Sequence, residues 1–488
     1  MKRLSSSLII ITCLALLAGC KKYLEEEPRK QASIQTVAQL EALVDNAMQF
    51  AEEGNSTAAL STDDYEVTRD LYKNNRNAFS TDILQYYIFS VEGVINASAD
   101  ALWQGEYKKI FTANLILENI DRVTGDNAAK ERVKADAYFI RGYSNWVLAN
   151  HYCAPFNDAN MGSLGLPLKK TTTYEESLKR ATLKDTYDFI QSDLTEAQKV
   201  PVDDVDPRRA WRISKKAIAA FMSRYYLFTG NYPLSLAEAE KALATAKAKL
   251  VDYNTLAPGI PAIYSNPADT LRYIELNSWT PAKFLYWPEF YYTRFTYYSS
   301  QWFVPSAGLL ALYDQQHDLR YRHFMIRNGG RRMDVVSPVN YRYTIFDDGS
   351  ELPAGFTVAE VLLNKAEVQA RQGDVNGAMT TVNILRQKRM STYVALSASG
   401  REDAVKKVLE ERRRELPFAM RWYDIRRFSV NDDPADDVTV TRDFFNVTTT
   451  GVDVNTPKTY TLTTKRLVVP ISAVEINVSK GEIEQNAY

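Results

Sequence analysis

Apolar side chains recur along residues 103–120 at helical spacing. Trp103, Tyr107, Ile110, Phe111 and Leu117 stand at offsets 0, 4, 7, 8 and 14, one face of a 3.6-residue period. Residues 131–149 repeat the pattern with Val133, Ala137, Ile140, Ser144, Val147 and Leu148. Between them, VTGDNAAKE offers Gly125 as a stop and Asp126 or Asn127 as a cap. The spacing predicts two antiparallel helices joined by a short turn. The segments 214–228 (SKKAIAAFMSRYYLF) and 357–371 (TVAEVLLNKAEVQAR) read as helices too.

Each of those two helices leads into a more specific pattern. TGNYPLSLAEAEKAL (229–243) is similar to the turn and second helix of a tetratricopeptide repeat. Gly230 makes the turn, Asn231 can cap, Ser235 takes the small position, and Ala242-Leu243 close the helix. QGDVNGAMTTVNILR (372–386) matches again through Gly373, Asp374 and Ala378. Small residues are needed where paired helices cross closely. The pattern predicts a mostly α fold with repeats near 103–150, 183–229, 214–248 and 357–391. Residues 251–356 read differently, rich in Pro, Gly, Tyr and Asn, with strand-like pieces at 271–276 and 339–346. Residues 430–470 are Thr- and Val-rich, and RLVVPIS reads as a strand. The expected organisation is one domain over 36–488. Helical repeats cover about 103–250 and 357–428, interrupted by a loop-rich ligand-binding region at 251–356 and followed by a strand-and-loop tail at 429–488.

Composition narrows the function. With 488 residues, 45% hydrophobic and 24% charged, the chain is globular and large enough for an array that grows by repetition. Lys+Arg 59 against Asp+Glu 60 leaves no field favouring nucleic acid. The N-terminus sets the compartment. Lys2 and Arg3 precede an apolar stretch from Leu8 to Ala18, too short to span a bilayer, which ends in Leu17-Ala18-Gly19-Cys20. This reads as a bacterial lipoprotein signal at 1–19, with Cys20 lipidated as the first mature residue and 20–35 as a charged tether. The competing account is an ordinary signal peptide with a chance cysteine. Two or more acyl chains give stable anchoring where one gives reversible binding.

Catalytic chemistry finds no positive case. His151, His317 and His323 fall in no metal-ligand spacing, and Cys153 two residues after His151 reads as a buried or loop thiol. No GxSxG, GxGxxG or P-loop is present. Asp203, Asp204 and Asp206 lack the glycine and closing Glu of a calcium loop and read as a solvated turn. The expectation is therefore a binding protein with no catalytic residues, no metal and no cofactor.

Aromatic residues supply the candidate surface. FLYWPEFYYTRFTYYSSQWF (284–303) holds 11 rings in 20 residues, where the 12% chain average would give about two. Tyr and Trp combine a flat apolar face with a polar tip, as sugar- and protein-binding surfaces need. Core packing is the competing account for each ring. Phe has no polar tip, so Phe284, Phe290, Phe295 and Phe303 are assigned to packing. Trp287, Tyr291, Tyr292, Tyr297, Tyr298 and Trp302 are assigned to a ligand platform.

The stretch EERRRELPFAMRWYDIRRF (410–428) reads, on pattern alone, as a solvated, salt-bridged helix end. It also resembles the C-terminal signature of the SusD/RagB family, surface glycan- or nutrient-binding lipoproteins of Bacteroidetes. The matching residues are Glu411 to Leu416, Phe418, Arg421-Trp422, Tyr423, Asp424, Ile425 and Arg426-Arg427. Trp103, Tyr107, Ile110 and Asn114 resemble the family's first repeat helix, and Pro305-Ser306, Leu309, Tyr313, Asp318 and Arg320 a later segment. The end, VVPIS…EI…QNAY, is similar to the family tail. Pro417, Ala419-Met420 and Ser472 depart from the pattern at structural positions. The resemblance implies a mostly α fold with four tetratricopeptide-like repeats, and scaffold roles for the signature arginines. It implies an outer-membrane lipoprotein that captures a glycan as the lid of a TonB-dependent SusC-type transporter. It also implies ligand contacts from the stretch before the first repeat helix, adding Tyr86, Tyr87, Arg76 and Asn77 to the candidates. Peptide or other nutrient capture and a protein-only repeat scaffold are the alternatives.

Overall fold

The computed structural model describes residues 34–55, 57–97, 100–255, 287–297, 303–327, 340–345 and 351–488. Polar side chains at the helix starts accept from amides that have no partner within the helix. Helix α1 (Val37–Val44) opens with a capping box between Thr36 and Gln39. Helix α2 (Ala101–Asn119) starts at Asp100, which accepts from the amides of Leu102 and Trp103. Helix α3 (Asn127–Tyr152) starts at Asp126, which accepts from Ala129 N. Gly125 before it has φ 137°. α2 and α3 form the hairpin that the spacing predicts, and α1 closes one end of it over Ile116, Val133 and Ala137.

Helix α4 (Leu183–Ala197) packs on α3, so the expected 183–229 pair is instead divided between two neighbours. Helices α5 (Lys215–Phe228) and α6 (Tyr232–Leu243) pair around Ser235, which is buried and donates to Ser223 O at 2.7 Å. A longer side chain there would hold the two backbones apart. Helices α7 (Val358–Arg371) and α8 (Val375–Gln387) form the matching pair, with Asp374 capping α8 through Gly377 N. Both turns use a left-handed glycine, φ 76° at Gly230 and 88° at Gly373. Helices α9 (Arg401–Glu415) and α10 (Arg421–Phe428) carry the arginine-rich signature. Helix α11 (Ala473–Val478) lies near the C-terminal end. The fold is mostly α.

Short strands lie beside the repeats. Strand β1 (Glu52–Asn55) runs parallel to β3 (Phe295–Tyr297), which pairs antiparallel with β6 (Glu351–Pro353). Strand β2 (Phe290–Tyr292) pairs with β7 (Phe356–Thr357), and β4 (Met325–Arg327) with β5 (Tyr341–Tyr343). The one long hairpin among the described residues is β8 (Thr441–Thr448) with β9 (Gly451–Thr461). RLVVPIS is not a strand: its start lies in a short turn, Thr464–Leu467, and Pro470 has no amide to join a ladder. Val469 N donates to His151 O at 2.7 Å, tying this segment to the end of α3. The strand expected at 339–346 appears as β5. The one at 271–276 and the N-terminal signal lie outside the described residues.

The 410–428 stretch corrects the solvated reading that its pattern invites. Glu411, Arg412, Trp422 and Arg426 are buried. Arg412 Nε meets Asp424 at 2.8 Å, and Arg320 reaches Glu411 at 2.7 Å and Glu415 at 2.9 Å. Arg224 of α5 grips Glu360 of α7 through two contacts of 2.6 Å. Desolvating such charges offsets most of their attraction, so these pairs fix which helix meets which more than they add net stability.

Candidate functional site

The structure buries the three platform residues whose side chains it describes. Trp287 is 3% exposed, Tyr291 2% and Tyr292 1%, each inside the main core. β2 and β7 sit against α5, so neither face of this short ladder reaches water. Tyr292 stacks on Phe356 with centroids 5.6 Å apart and an 18° tilt, and meets Phe139 edge-on at 5.1 Å. Tyr291 donates its hydroxyl to Ala242 O at 3.0 Å. Tyr86 and Tyr87 are buried as well, with Tyr87 donating to Val67 O at 3.2 Å. Backbone carbonyls thus accept from the Tyr291 and Tyr87 phenols in the core, while the Tyr292 hydroxyl is buried without a hydrogen-bond partner among the described residues, although the density of tyrosine along the chain pointed to exposure. Phe290, Phe295 and Phe303 are buried. Arg76 and Asn77 are exposed, on the single turn Arg76–Ala78. Tyr297 is described as backbone alone, and Phe284, Tyr298, Trp302 and Cys20 lie outside the described residues.

An aromatic stripe lies elsewhere: Trp103, Tyr107 and Phe111 on α2 run along a cleft of about 260 Å³, walled by residues 167–178 and by α11, with Trp103 buried, Tyr107 half-buried and Phe111 open. Trp103 and Tyr107 have ring centroids 4.9 Å apart, and Tyr152 buttresses Trp103 edge-on at 5.0 Å. The outer rim is apolar and open: Phe111 is 41% exposed, Val478 73% and Tyr174 94%.

The wall is held by polar groups of α2. Tyr107 donates to Pro167 O at 2.9 Å, and Asn114 Nδ2 donates to Lys169 O and Thr171 O at 3.2 and 3.1 Å. Asn114 is oriented in turn by Arg141, which donates to its Oδ1 at 2.8 Å while gripping Asp193. Glu118 accepts from the amide and hydroxyl of Thr172, and Glu176 from the amides of Lys170 and Thr171. On the far side Gln104 donates to Glu475 at 2.8 Å. Burial pushes the Glu475 carboxyl above its ordinary range, against the hydrogen bond from Gln104. The result is a stiff aromatic trough with hydroxyls and a carboxylate along its edge. That arrangement can stack the apolar face of a ring and accept from its hydroxyls.

A larger cavity, about 920 Å³, lies between α9 and residues 431–438. Three of its arginines are already paired, Arg371 with Asp436, Arg421 with Asp63 and Arg413 with Asp64.

The sequence reading placed Trp103, Tyr107 and Phe111 on one helix face but gave them no ligand. It missed Tyr174 and Glu475. A lone tyrosine in the polar run KKTTTYEES was the available signal for the first.

Comparison with known proteins bears on the whole chain. A family model described as starch-binding and associating with the outer membrane matches residues 22–227, and the SusD family model matches residues 356–488. A SusD-like protein of Formosa agariphila is 27% identical over 163 residues, 30% of this chain; the match spans only 29% of that relative. A SusD superfamily structure from Bacteroides thetaiotaomicron superposes with TM-score 0.66 at 17% identity, covering 93% of this chain and 100% of its own. A SusD-like carbohydrate binding protein from Bacteroides vulgatus gives TM-score 0.63 at 17% identity, covering 92% and 97%. With both halves of the sequence matched by models of one family, and the fold shared along nearly the full length, the chain belongs to the SusD/RagB family.

Proposed function

We propose that this protein captures a glycan at the outer membrane and passes it to a TonB-dependent SusC-type transporter, acting as its lid. It binds and does not cleave. The observation that carries the reading is the cleft on α2: Phe111 open at the end of a three-ring stripe whose inner ring, Trp103, is buried, with Tyr174 standing almost fully exposed beside it. Exposed rings this close to fixed hydroxyls and a carboxylate suit carbohydrate, whose CH faces stack and whose hydroxyls donate and accept. The family's description as starch-binding, and the carbohydrate-binding name of one structural neighbour, agree with a glycan ligand. The Leu17–Cys20 sequence supports lipid anchoring on Cys20. Exposed Arg76 and Asn77 form a second candidate contact point.

The test is a glycan and peptide binding screen on the full-length protein in detergent, repeated with Phe111→Ala and Tyr174→Ala. Glycan binding that either substitution weakens, with melting unchanged, supports the reading. Binding of peptides alone moves the protein to peptide capture, and no binding of either moves it to a protein-only scaffold.

A further inference from the structure

The charges around the α2 cleft bear on which glycans it can accept. Among the described residues lining it, Lys169 is the sole cation and Glu475 the sole acid. Lys169 is committed to the wall: its Nζ donates to Thr173 O at 3.4 Å and Glu176 O at 3.0 Å, and lies 3.5 Å from the Glu176 carboxylate. Arg180 and Arg141 nearby are engaged in the same way, while Lys108, Lys179 and Lys480 stand exposed outside the lining. Arg180 donates to Gly165 O, Leu164 O, Tyr152 O and Glu484 O, and Arg141 is clamped by Asp193 and Asn114. Lys170 Nζ lies over the Phe189 ring at 5.5 Å.

The acids present the opposite picture. Glu118, Glu176 and Glu482 each accept from backbone amides of the 167–178 wall, at Thr172, Lys170 and Leu178. Neutral amides and hydroxyls hold Glu118 and Glu482 there, and Lys169 at 3.5 Å is the cation the geometry sets against Glu176. Glu475 is held by the neutral amide of Gln104, with half-buried Asp100 nearby capping α2. A ligand on the aromatic floor therefore meets the Glu475 carboxylate and no uncommitted guanidinium or ammonium from the lining. An anionic group placed there would lose its hydration and gain no charged donor in return. A neutral sugar loses nothing of the kind, since its hydroxyls can donate to Glu475 and exchange bonds with Thr171, Thr172 and Thr173.

We infer that the cleft selects uncharged oligosaccharides and rejects glycans bearing carboxylate or sulfate groups. This rests on the glycan-capture reading and narrows it. The experiment pairs each neutral oligosaccharide that binds in an array of neutral and anionic glycans with its own sulfated derivative. Both are titrated into the full-length protein in detergent at low and at high salt. The neutral member is expected to bind at least tenfold tighter at low salt, with the gap shrinking as salt screens the carboxylates. Glu475→Gln is expected to narrow the neutral-to-sulfated ratio at least threefold, and Phe111→Ala to weaken the neutral ligand. Sulfated derivatives bound as tightly as their parents, or array hits confined to anionic glycans, would overturn charge selection and leave capture standing. An array with no hits at all overturns the capture reading, and the selection with it.

Discussion

Arg427 lies flat across the carboxylate of Glu367, with Nη1 to Oε1 at 2.6 Å and Nη2 to Oε2 at 2.7 Å. The contact joins α10 to α7, 60 residues apart in sequence. Both side chains are buried, and Arg371 completes the cluster at 2.8 Å from Glu367. Burial alone would raise the Glu367 carboxyl, but the two guanidiniums hold it far below the usual carboxylate range.

Removing one partner leaves the other charged and dry. Arg427→Ala is expected to cost about 3–5 kcal/mol, and Arg427→Lys to recover only part, because an ammonium cannot match the two-pronged geometry. Urea unfolding monitored by circular dichroism checks this. A loss below about 1 kcal/mol for the alanine variant would show that the pair is not a scaffold element.

Acid should weaken the fold in two stages. His151 is buried in α3, and burial lowers its pKa to about 4 from an ordinary 6.5. A depressed histidine is neutral in the fold and takes up its proton more readily unfolded, so stability falls as pH drops from about 6.5 toward 4 and levels below that. Glu367 and Glu411 are carboxyls lowered by their arginines, once those outweigh burial. Their contribution is complete above the ordinary 4.5 and is lost as pH falls below it. Melting temperatures from pH 7 to 3 should show both, and His151→Gln should flatten only the first. An unchanged slope between pH 6.5 and 4 in that variant would reject the assignment.

The two turn glycines isolate a backbone effect. A methyl at Gly230 or Gly373 would meet nothing within 4 Å, yet both have positive φ. Each Gly→Ala substitution is expected to cost about 1 kcal/mol, from conformation and not from clash. If either proves neutral in unfolding measurements, the left-handed turn is not needed there.

Trp287 and Tyr174 should separate stability from binding. Trp287→Ala empties a core site and is expected to cost about 3–5 kcal/mol. Tyr174→Ala removes a ring that touches mostly solvent, so melting should stay put while affinity for the captured glycan falls by about 1–3 kcal/mol. Thermal melts and titration calorimetry on both variants decide it. Reversed outcomes would restore the 284–303 run as the platform.

These cases show why the scaffold was legible and the site was not. Helix spacing, Gly230, Asn231 and Asp374 act locally, so the sequence around each carries its meaning. Burial of Tyr292 depends on α5 and Phe356, and Trp287 meets Tyr253, partners that no neighbour in sequence announces. The cleft has the same character: Phe111, Tyr174 and Glu475 meet only because residues 167–178 and α11 fold over α2. The arginine signature misled for a related reason. Alternating charges look alike whether water or a distant helix answers them, and Asp63, Glu367 and Arg320 lie far outside the stretch.

The β1–β3–β6 sheet sets an order of assembly. β3 is its middle strand, with Glu52 facing Phe295 on one side and Pro353 facing Phe295 on the other. A chain emerging N-terminus first, as from a ribosome, would expose the open edge of β1 while more than half the polypeptide had yet to arrive. Helices α2 to α6 can dock meanwhile, but the sheet closes only after residue 353 is free. Until β3 arrives to pair with it, β1 is an open strand of the kind that recruits the wrong partner, and a chaperone has a defined interval in which to guard it.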